Sequence, residues 1–346
     1  MSRKYRVGIL GATGTVGQRF AQLLEDHPQF EITAMAASDR SVGKPYSEAC
    51  AWKLPGKIPA NVRDIVVQPI EPPLDCDIVF SSLPGSVARE TEEAFARAGY
   101  PVISNSSVYR MDEDVPLLIP EINADHLGLI EKQRQNRGFG KGFIVTNPNC
   151  AVISFAPPLA ALHRKFGIES AIVTTLQAIS GAGYPGVASL DITDNVFPYI
   201  AGEEPKVETE AQKILGVFTE NGIEKADFAV SAQCFRVNVV DGHMVSVRVN
   251  LKNTATLEEV VDAMKTFPTL DLHSSPDHFI EVTDEPSRPQ PKLDRDNGNG
   301  MTITVGRVFP DNIFDYRFIS LSHNTVRGAA GSAILNAELL ISKGII

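Results

Sequence analysis

Four glycines, Gly8, Gly11, Gly14 and Gly17, recur at every third residue between an apolar strand and the start of a helical pattern. No other feature constrains the fold as tightly. Glycine lets the backbone turn sharply and approach an anion, and the helix that follows offers unpaired N–H groups at its positive end. The spacing is G-x-x-G-x-x-G, a variant of the dinucleotide fingerprint set in the strand-turn-helix context that fingerprint needs. A tight turn with no ligand is the plain alternative.

The first 150 residues keep alternating strand and helix patterns. Strands are expected at 6–10, 30–37, 77–82 and 101–104, with a helix over 17–26, and such alternation predicts a doubly wound parallel sheet. From Ala151 the pattern changes to an apolar helix through 165, a strand at 170–178 and a second glycine-rich turn at 180–184. Strands at 227–236 and 243–251 follow, joined by a turn at Asp241 and Gly242, then a helix at 257–267 and a strand at 301–309. This half reads as α+β with a mixed or antiparallel sheet. Residues 324–341 read as a helix returning to the first domain, which gives expected domains of 1–149 with 323–346, and 150–322. Loops are expected at 131–142 and 286–300. The acidic runs 90–93 and 112–114 read as solvated.

A chain of 346 residues, 43% hydrophobic and 21% charged, suits two soluble globular domains. Its net charge of -10 argues against a general nucleic-acid binder. Cys50, Cys76, Cys150 and Cys234 are scattered without Cys-x-x-Cys or zinc-like spacing, so no metal is expected and a reduced, cytoplasmic protein is. Residues 1–10 lack the apolar core of a leader. Residues 143–162 carry no charge, but Pro157-Pro158 and Asn147-Pro-Asn149 interrupt them too often for a membrane span.

The coenzyme type is read where the second strand ends, in Ser38-Asp39-Arg40-Ser41 with Lys44 close behind. Arg40 between hydroxyls suits a 2'-phosphate and favours NADP, while Asp39 leaves NAD open. Cys150 opens a helix after Asn147-Pro-Asn149, where the helix dipole would stabilise a thiolate. Burial as a small apolar residue is the alternative. His243, just after the Asp241-Gly242 turn, has a side chain suited to proton transfer near pH 7. The other six histidines have weaker settings.

Taken together, Gly11 to Gly17, Ser38-Asp-Arg-Ser41, Asn105-Ser-Ser-Val-Tyr-Arg110, Asn147-Pro-Asn-Cys150, Gln177-Ala-Ile-Ser-Gly-Ala-Gly183, Gly242-His243 and His323-Asn-Thr-Val-Arg-Gly-Ala-Ala330 resemble the aspartate-semialdehyde dehydrogenase family, in its archaeal and fungal branch, almost end to end. The resemblance implies a Rossmann-type NADP-binding domain and an α+β catalytic and dimerisation domain. It implies NADPH-dependent reductive dephosphorylation of L-4-aspartyl phosphate to the semialdehyde, on the way to lysine, methionine and threonine. Cys150 would form the thioester, His243 would act as general acid and base, and Gln177 would orient the acyl group. Arg236 would grip the substrate carboxylate and Glu203 its ammonium, with Lys206, Arg110 and Asn149 holding the phosphate. NADP would lie against Gly11, Thr13, Gly14, Thr15, Val16, Ser38, Arg40, Ser41, Ser82, Pro84, Ser180, Gly181 and Asn324. A homodimer or homotetramer is implied.

Two rival enzymes share the chemistry. Malonyl-CoA reductase uses the same cysteine and NADPH, but a substrate without an ammonium leaves Glu203 unexplained. N-acetyl-glutamyl-phosphate reductase usually has Gly-Cys-Tyr-Pro where this chain has Asn149-Cys150-Ala151-Val152. A non-catalytic NADP-binding sensor would need only the glycine turn.

Overall fold

The computed structural model describes residues 3–346. Met1 and Ser2, at the head of the segment read as lacking a leader, lie outside the described residues. The chain forms two units. One comprises the segment ending at Leu118, Asp125–Asn147 and Ala329–Ile346; the other comprises Ile119–Ala124 and Pro148–Gly328.

The first unit is built on a five-stranded parallel sheet. Its strands are β1 (Tyr5–Leu10), β2 (Phe30–Ala36), β3 (Ile78–Ser81), β4 (Pro101–Ser104) and β5 (Phe143–Thr146), in the order β2-β1-β3-β4-β5. Helices α1 (Thr15–Leu23), α2 (Tyr46–Ala49), α3 (Gly85–Arg97) and α5 (Leu129–Arg137) belong to it, the short α4 (Pro120–Asn123) to the second unit. Because β1 lies between β2 and β3, strand order reverses beside β1, and the crevice at the carboxyl ends of such strands is where this topology takes ligands. The glycine turn leaves β1 there. Beneath it Leu10, Val79, Phe95, Val102, Tyr109 and Ile144 form one buried cluster.

The second unit carries a six-stranded mixed sheet, in which β6 (Ile168–Gln177), β9 (Ala229–Arg236), β10 (His243–Leu251), β11 (Ile280–Thr283), β12 (Ile303–Pro310) and β13 (Tyr316–Ser322) run in the order β11-β12-β13-β10-β6-β9. Helix α6 (Val152–Phe166), apolar along most of its length and continuous through Pro157 and Pro158, packs on β10 and β13. Helices α7 (Ser189–Ile192), α8 (Glu204–Ile214), α9 (Leu257–Lys265) and α10 (Pro291–Asp294) and the hairpin of β7 (Val217–Thr219) and β8 (Gly222–Glu224) complete it.

Several expectations need correction. β9 and β10 are not hairpin partners, because β6 sits between them, parallel to β9 and antiparallel to β10. Residues 131–142 are mostly helix, α5, ended by Gly138 in the left-handed conformation at φ 66°. The loop expected at 286–300 contains α10 and a tight turn at 297–300. The last helix begins with a π-helical turn, Val326–Ala330, before α11 (Gly331–Ser342), which contacts β4 in the first unit. Residues 119–124 and 323–328, expected in the first domain, lie in the second unit. They are joined there by a fully buried bidentate pair, Arg327 to Glu121 at 2.9 and 2.7 Å. Neither acidic run is simply solvated: Glu92 and Asp114 are buried, Asp114 against Arg137.

Packing at the glycine turn is strict. A Cβ on Gly17 would lie 2.4 Å from the Gly11 carbonyl oxygen and 2.6 Å from that of Ala12, both fixed backbone atoms. Gly17→Ala should therefore cost about 1–3 kcal/mol of stability, as overpacking does, measured by denaturant unfolding; an unchanged midpoint would contradict this packing.

Candidate active site

One edge of the mixed sheet gathers the chemistry of the second unit. β6 ends at Gln177 and its parallel neighbour β9 at Arg236, in register with each other. Antiparallel β10 starts at this edge with His243, which pairs with Ser322 at the end of β13. The head of α6 is fastened to β13 by Ser154, whose hydroxyl lies 2.7 Å from that of Ser322 and donates to the Cys150 carbonyl at 3.2 Å. Strand ends and helix head thus converge.

Cys150 Sγ lies 3.2 Å from His243 Nε2. The imidazole is completely buried, and the Ala178 N–H donates to its Nδ1 at 3.1 Å. A nitrogen that accepts a backbone N–H carries no proton, so the hydrogen of the neutral ring is on Nε2 and points at sulfur. Burial, then the charge of Arg236 and the proximity of His323, pushes the imidazole pKa down to about 3. The ring is neutral at physiological pH.

Arg236 donates to the Ala178 carbonyl at 2.8 Å and is itself buried. Burial lowers its pKa, opposed by the charges of Cys150 and Glu203. Gly181 makes room for this cluster, since a Cβ there would come within 2.9 Å of Arg236 Nη1 and 3.1 Å of His243 Cε1. Glu203 accepts from Asn149 Nδ2 at 2.9 Å, Gln177 Nε2 at 3.0 Å and Lys206 Nζ at 3.2 Å. Burial, the largest single influence, pushes its carboxyl pKa up, but these donors and the Lys206 charge together bring it below the ordinary value. Glu203 is a fixed negative charge.

The sulfur is positioned from a second side as well. Gly328, in the π-helical turn, approaches so closely that a Cβ would lie 2.8 Å from Cys150 Cβ. Its neighbour Arg327 is held by Glu121 and lies 4.6 Å from the Phe279 ring centroid. π-turns recur at functional sites.

In the first unit the turn fits a dinucleotide. Gly11 adopts φ 78°, and a Cβ on Gly14 would meet only the Gly11 oxygen, at 3.3 Å, so that side of the turn is open. No side chain caps α1, which leaves its first N–H groups for an anion. The Tyr46 hydroxyl and Gln18 Nε2 brace the carbonyls of Ala12 and Thr13. Ser38 and Arg40 are exposed and Ser41 is buried. Arg110 also lies in the first unit, donating to the Asn105 carbonyl at 2.8 Å.

Residues 6–130 match the model described as "Semialdehyde dehydrogenase, NAD binding domain", and residues 159–327 the one described as "Semialdehyde dehydrogenase, dimerisation domain". The aspartate-semialdehyde dehydrogenase of Archaeoglobus fulgidus is 54% identical over 99% of this chain and 100% of its own length. That of Schizosaccharomyces pombe is 47% identical over 99% of both. The chain belongs to the aspartate-semialdehyde dehydrogenase family. Among solved structures, aspartate semialdehyde dehydrogenase with NADP from Candida albicans superposes with a TM-score of 0.91 at 42% identity, covering 99% of this chain and 100% of that one. Aspartate semialdehyde dehydrogenase II complexed with ASA from Vibrio cholerae gives 0.79 at 27% identity, over 99% of each.

For this member of the aspartate-semialdehyde dehydrogenase family, the structure brings Cys150, His243, Gln177, Arg236, Glu203, Lys206, Asn149, Ser180, Gly181 and Asn324 into one unit, and Arg110 and the glycine turn into the other. Asn149, expected as a phosphate holder, has a structural part as well. Its Oδ1 accepts from the Ala151 and Val152 N–H groups and its Nδ2 is given to Glu203, so it shapes the head of α6. Asn324 bonds Ser180 and the Gly242 N–H, stapling the loops on either side of the imidazole. Glu210, which accepts the Asn149 N–H at 2.6 Å, and Gly328 escaped the sequence reading. The seven-residue spacing of Glu203 and Glu210, two turns on one helix face, was the available signal for the first.

Gly328→Ala should push Cys150 out of line and lower kcat by roughly 10²-fold, with NADP affinity unchanged. Steady-state rates and the alkylation rate of the thiol check this; wild-type values for both would refute it.

Proposed function

We propose that this chain interconverts L-4-aspartyl phosphate and L-aspartate 4-semialdehyde with NADPH as reductant, through a thioester on Cys150, in the biosynthesis of lysine, methionine and threonine. The observation that carries the reading is the 3.2 Å contact of the Cys150 sulfur with His243 Nε2, beside the buried guanidinium of Arg236.

The Nε2–H of His243, the Arg236 charge and the head of the 15-residue helix α6 all favour thiolate over thiol. The thiolate attacks the acyl carbon, the S–C bond forms and the C–O bond to phosphate breaks. The leaving phosphate takes one proton from solvent. NADPH, when bound, supplies a hydride to the thioester carbon. An oxyanion formed at that carbon would be within reach of the His243 Nε2–H, and its collapse to the carbonyl would expel the thiolate. His243 need not change protonation in this sequence. Its role is that of a hydrogen-bond donor, in place of the general acid and base the resemblance implied, because protonating Nδ1 would cost the bond from Ala178. Arg236, with Nη1 bonded to the Ala178 carbonyl, would hold the substrate carboxylate through its other N–H groups. Gln177 bonds Thr175 and Glu203, and so holds the acyl end indirectly. Within the second unit Lys206 is the cation offered to phosphate, and the resemblance gives Arg110 of the first unit the same part.

NADP would lie on the turn from Gly11 through Thr13, Gly14, Thr15 and Val16, with Ser38, Arg40 and Ser41 toward the 2'-phosphate and Ser82 and Pro84 beside the turn. Selection of NADP rests on the exposed Arg40. A malonyl-CoA substrate would bring no ammonium of its own to Glu203, whose ammonium partner within the chain is Lys206 at 3.2 Å. We place the protein in the cytoplasm, in keeping with its four thiols; among the described residues no helix is long and apolar enough to cross a membrane.

Cys150→Ser should lower turnover on the order of 10³-fold or more with NADP affinity intact, and wild-type NADPH formation from the semialdehyde should require phosphate. Equal loss of binding and turnover, or turnover with malonyl-CoA alone, would contradict the reading. We also infer a homodimer or homotetramer formed through the second unit, where Tyr184, Leu190, Val196, Phe197 and Tyr199 are exposed on one segment. Sedimentation velocity should show at least a dimer, shifted toward monomer by Leu190→Glu with Tyr199→Glu; a monomeric wild type would overturn this.

A further inference from the structure

Glu92 sits in the acidic run of α3, yet its side chain is completely buried. Ser81, the last residue of β3, and Ser104, the last of β4, both bond its Oε1, at 2.6 and 2.7 Å. Ser104 Oγ already accepts the Ser106 N–H at 3.0 Å, so its own hydrogen is directed to Glu92. Glu92 Oε2 has no hydrogen-bond partner among the described residues.

The two serines stand at the roots of two loops. After Ser81 comes Ser82, whose N–H and hydroxyl both donate to the Leu10 carbonyl at 3.0 Å and whose carbonyl oxygen would lie 3.0 Å from a Cβ on Gly11. After Ser104 comes Asn105, tied back to the Ser81 carbonyl by its N–H at 2.9 Å and its Nδ2 at 3.2 Å. One carboxyl group therefore joins two neighbouring strand ends beside the phosphate turn. The titratable and charged groups acting on it are Arg89 on its own helix, and Arg110 and Tyr109 from the segment after β4.

We propose that Glu92 is a positioning residue for the coenzyme: one oxygen clamps Ser81 and Ser104, the other carries the proton, and the clamp sets Ser82 to Pro84 against the glycine turn. The inference rests on the NADP reading above. Losing the proton leaves a bare anionic oxygen in a dry place, and relieving it must disturb the clamp. Burial pushes this carboxyl pKa up to about 7, against the serine bonds and the Arg110 and Arg89 charges, so the change falls within the working pH range. Coenzyme binding should weaken as pH rises through neutrality.

Glutamine keeps the acceptor oxygen and cannot ionise; leucine removes the acceptor. NADP affinity, measured by fluorescence titration from pH 6 to 9, should fall about tenfold more in wild type than in Glu92→Gln, with the two equal at pH 6. The 2'-phosphate titrates in both proteins, so only their difference counts. Glu92→Leu should bind NADP about tenfold more weakly at every pH, with the alkylation rate of Cys150 unchanged without coenzyme. Melting temperature gives a check independent of coenzyme. The native pKa is above the unfolded one, so ionisation costs the wild type stability as pH rises from about 4.5 to 7. Glu92→Gln should gain in melting temperature relative to wild type between pH 5 and 8. Variants that bind NADP like wild type across the pH range would overturn the inference alone. A wild type that binds no NADP would overturn the functional reading and this inference with it.

Discussion

A single backbone hydrogen bond governs the chemistry of the second unit: the Ala178 N–H held against His243 Nδ1 at 3.1 Å. It decides which ring nitrogen carries hydrogen, and so whether Cys150 faces a donor or a base. With Nε2–H turned to the sulfur, negative charge is favoured there before any substrate arrives, and on the proposed reading the same hydrogen would meet the oxyanion formed one bond away. Arg236 reinforces this from the end of β9, where it both bonds the Ala178 carbonyl and keeps the imidazole from taking a second proton. One short loop thus orders both groups.

Holding these groups requires polar atoms in places that apolar packing would prefer. Ser320 and Ser322 turn into the core to meet α6, Glu203 and Glu210 are buried beneath Asn149, and Arg327 with Glu121 is wholly desolvated. Buried ion pairs contribute little net stability, yet removing one partner costs about 3–5 kcal/mol. Their effect is to leave the sheet edge few alternative arrangements. Gly181 and Gly328 complete the fit by supplying space where the side chains of Arg236, His243 and Cys150 crowd the backbone. Glu92 performs a comparable service in the first unit, where it ties two strand ends beside a turn that must stay open.

Regular patterns were legible in the sequence, and their interruptions were not. The glycine turn and β10 stand out because their periods are undisturbed, and α6 because its apolar run follows the Asn147-Pro-Asn149 turn despite Pro157 and Pro158. β13 was overlooked: its inward positions include Ser320 and Ser322, which break the apolar alternation for the sake of the contact with Ser154. α3 was hidden by acidic residues, one of which, Glu92, points inward. Hairpin logic failed at Asp241 and Gly242 because turn chemistry reports local geometry, while the insertion of β6 between β9 and β10 depends on pairing across many residues. The sequence singles out Cys150 and His243 by their motifs, but only coordinates reveal that the two lie 3.2 Å apart, that Asn149 bonds the head of α6 and Glu203, and that a backbone N–H selects the imidazole tautomer.

The tautomer can be observed directly. In protein labelled with nitrogen-15 at histidine, the His243 ring at pH 7 should show one protonated nitrogen, Nε2, and one unprotonated, Nδ1, and should hold that pattern down to the lowest pH at which the fold survives. A ring protonated on Nδ1, or on both nitrogens near neutrality, would contradict the account of how Cys150 is activated.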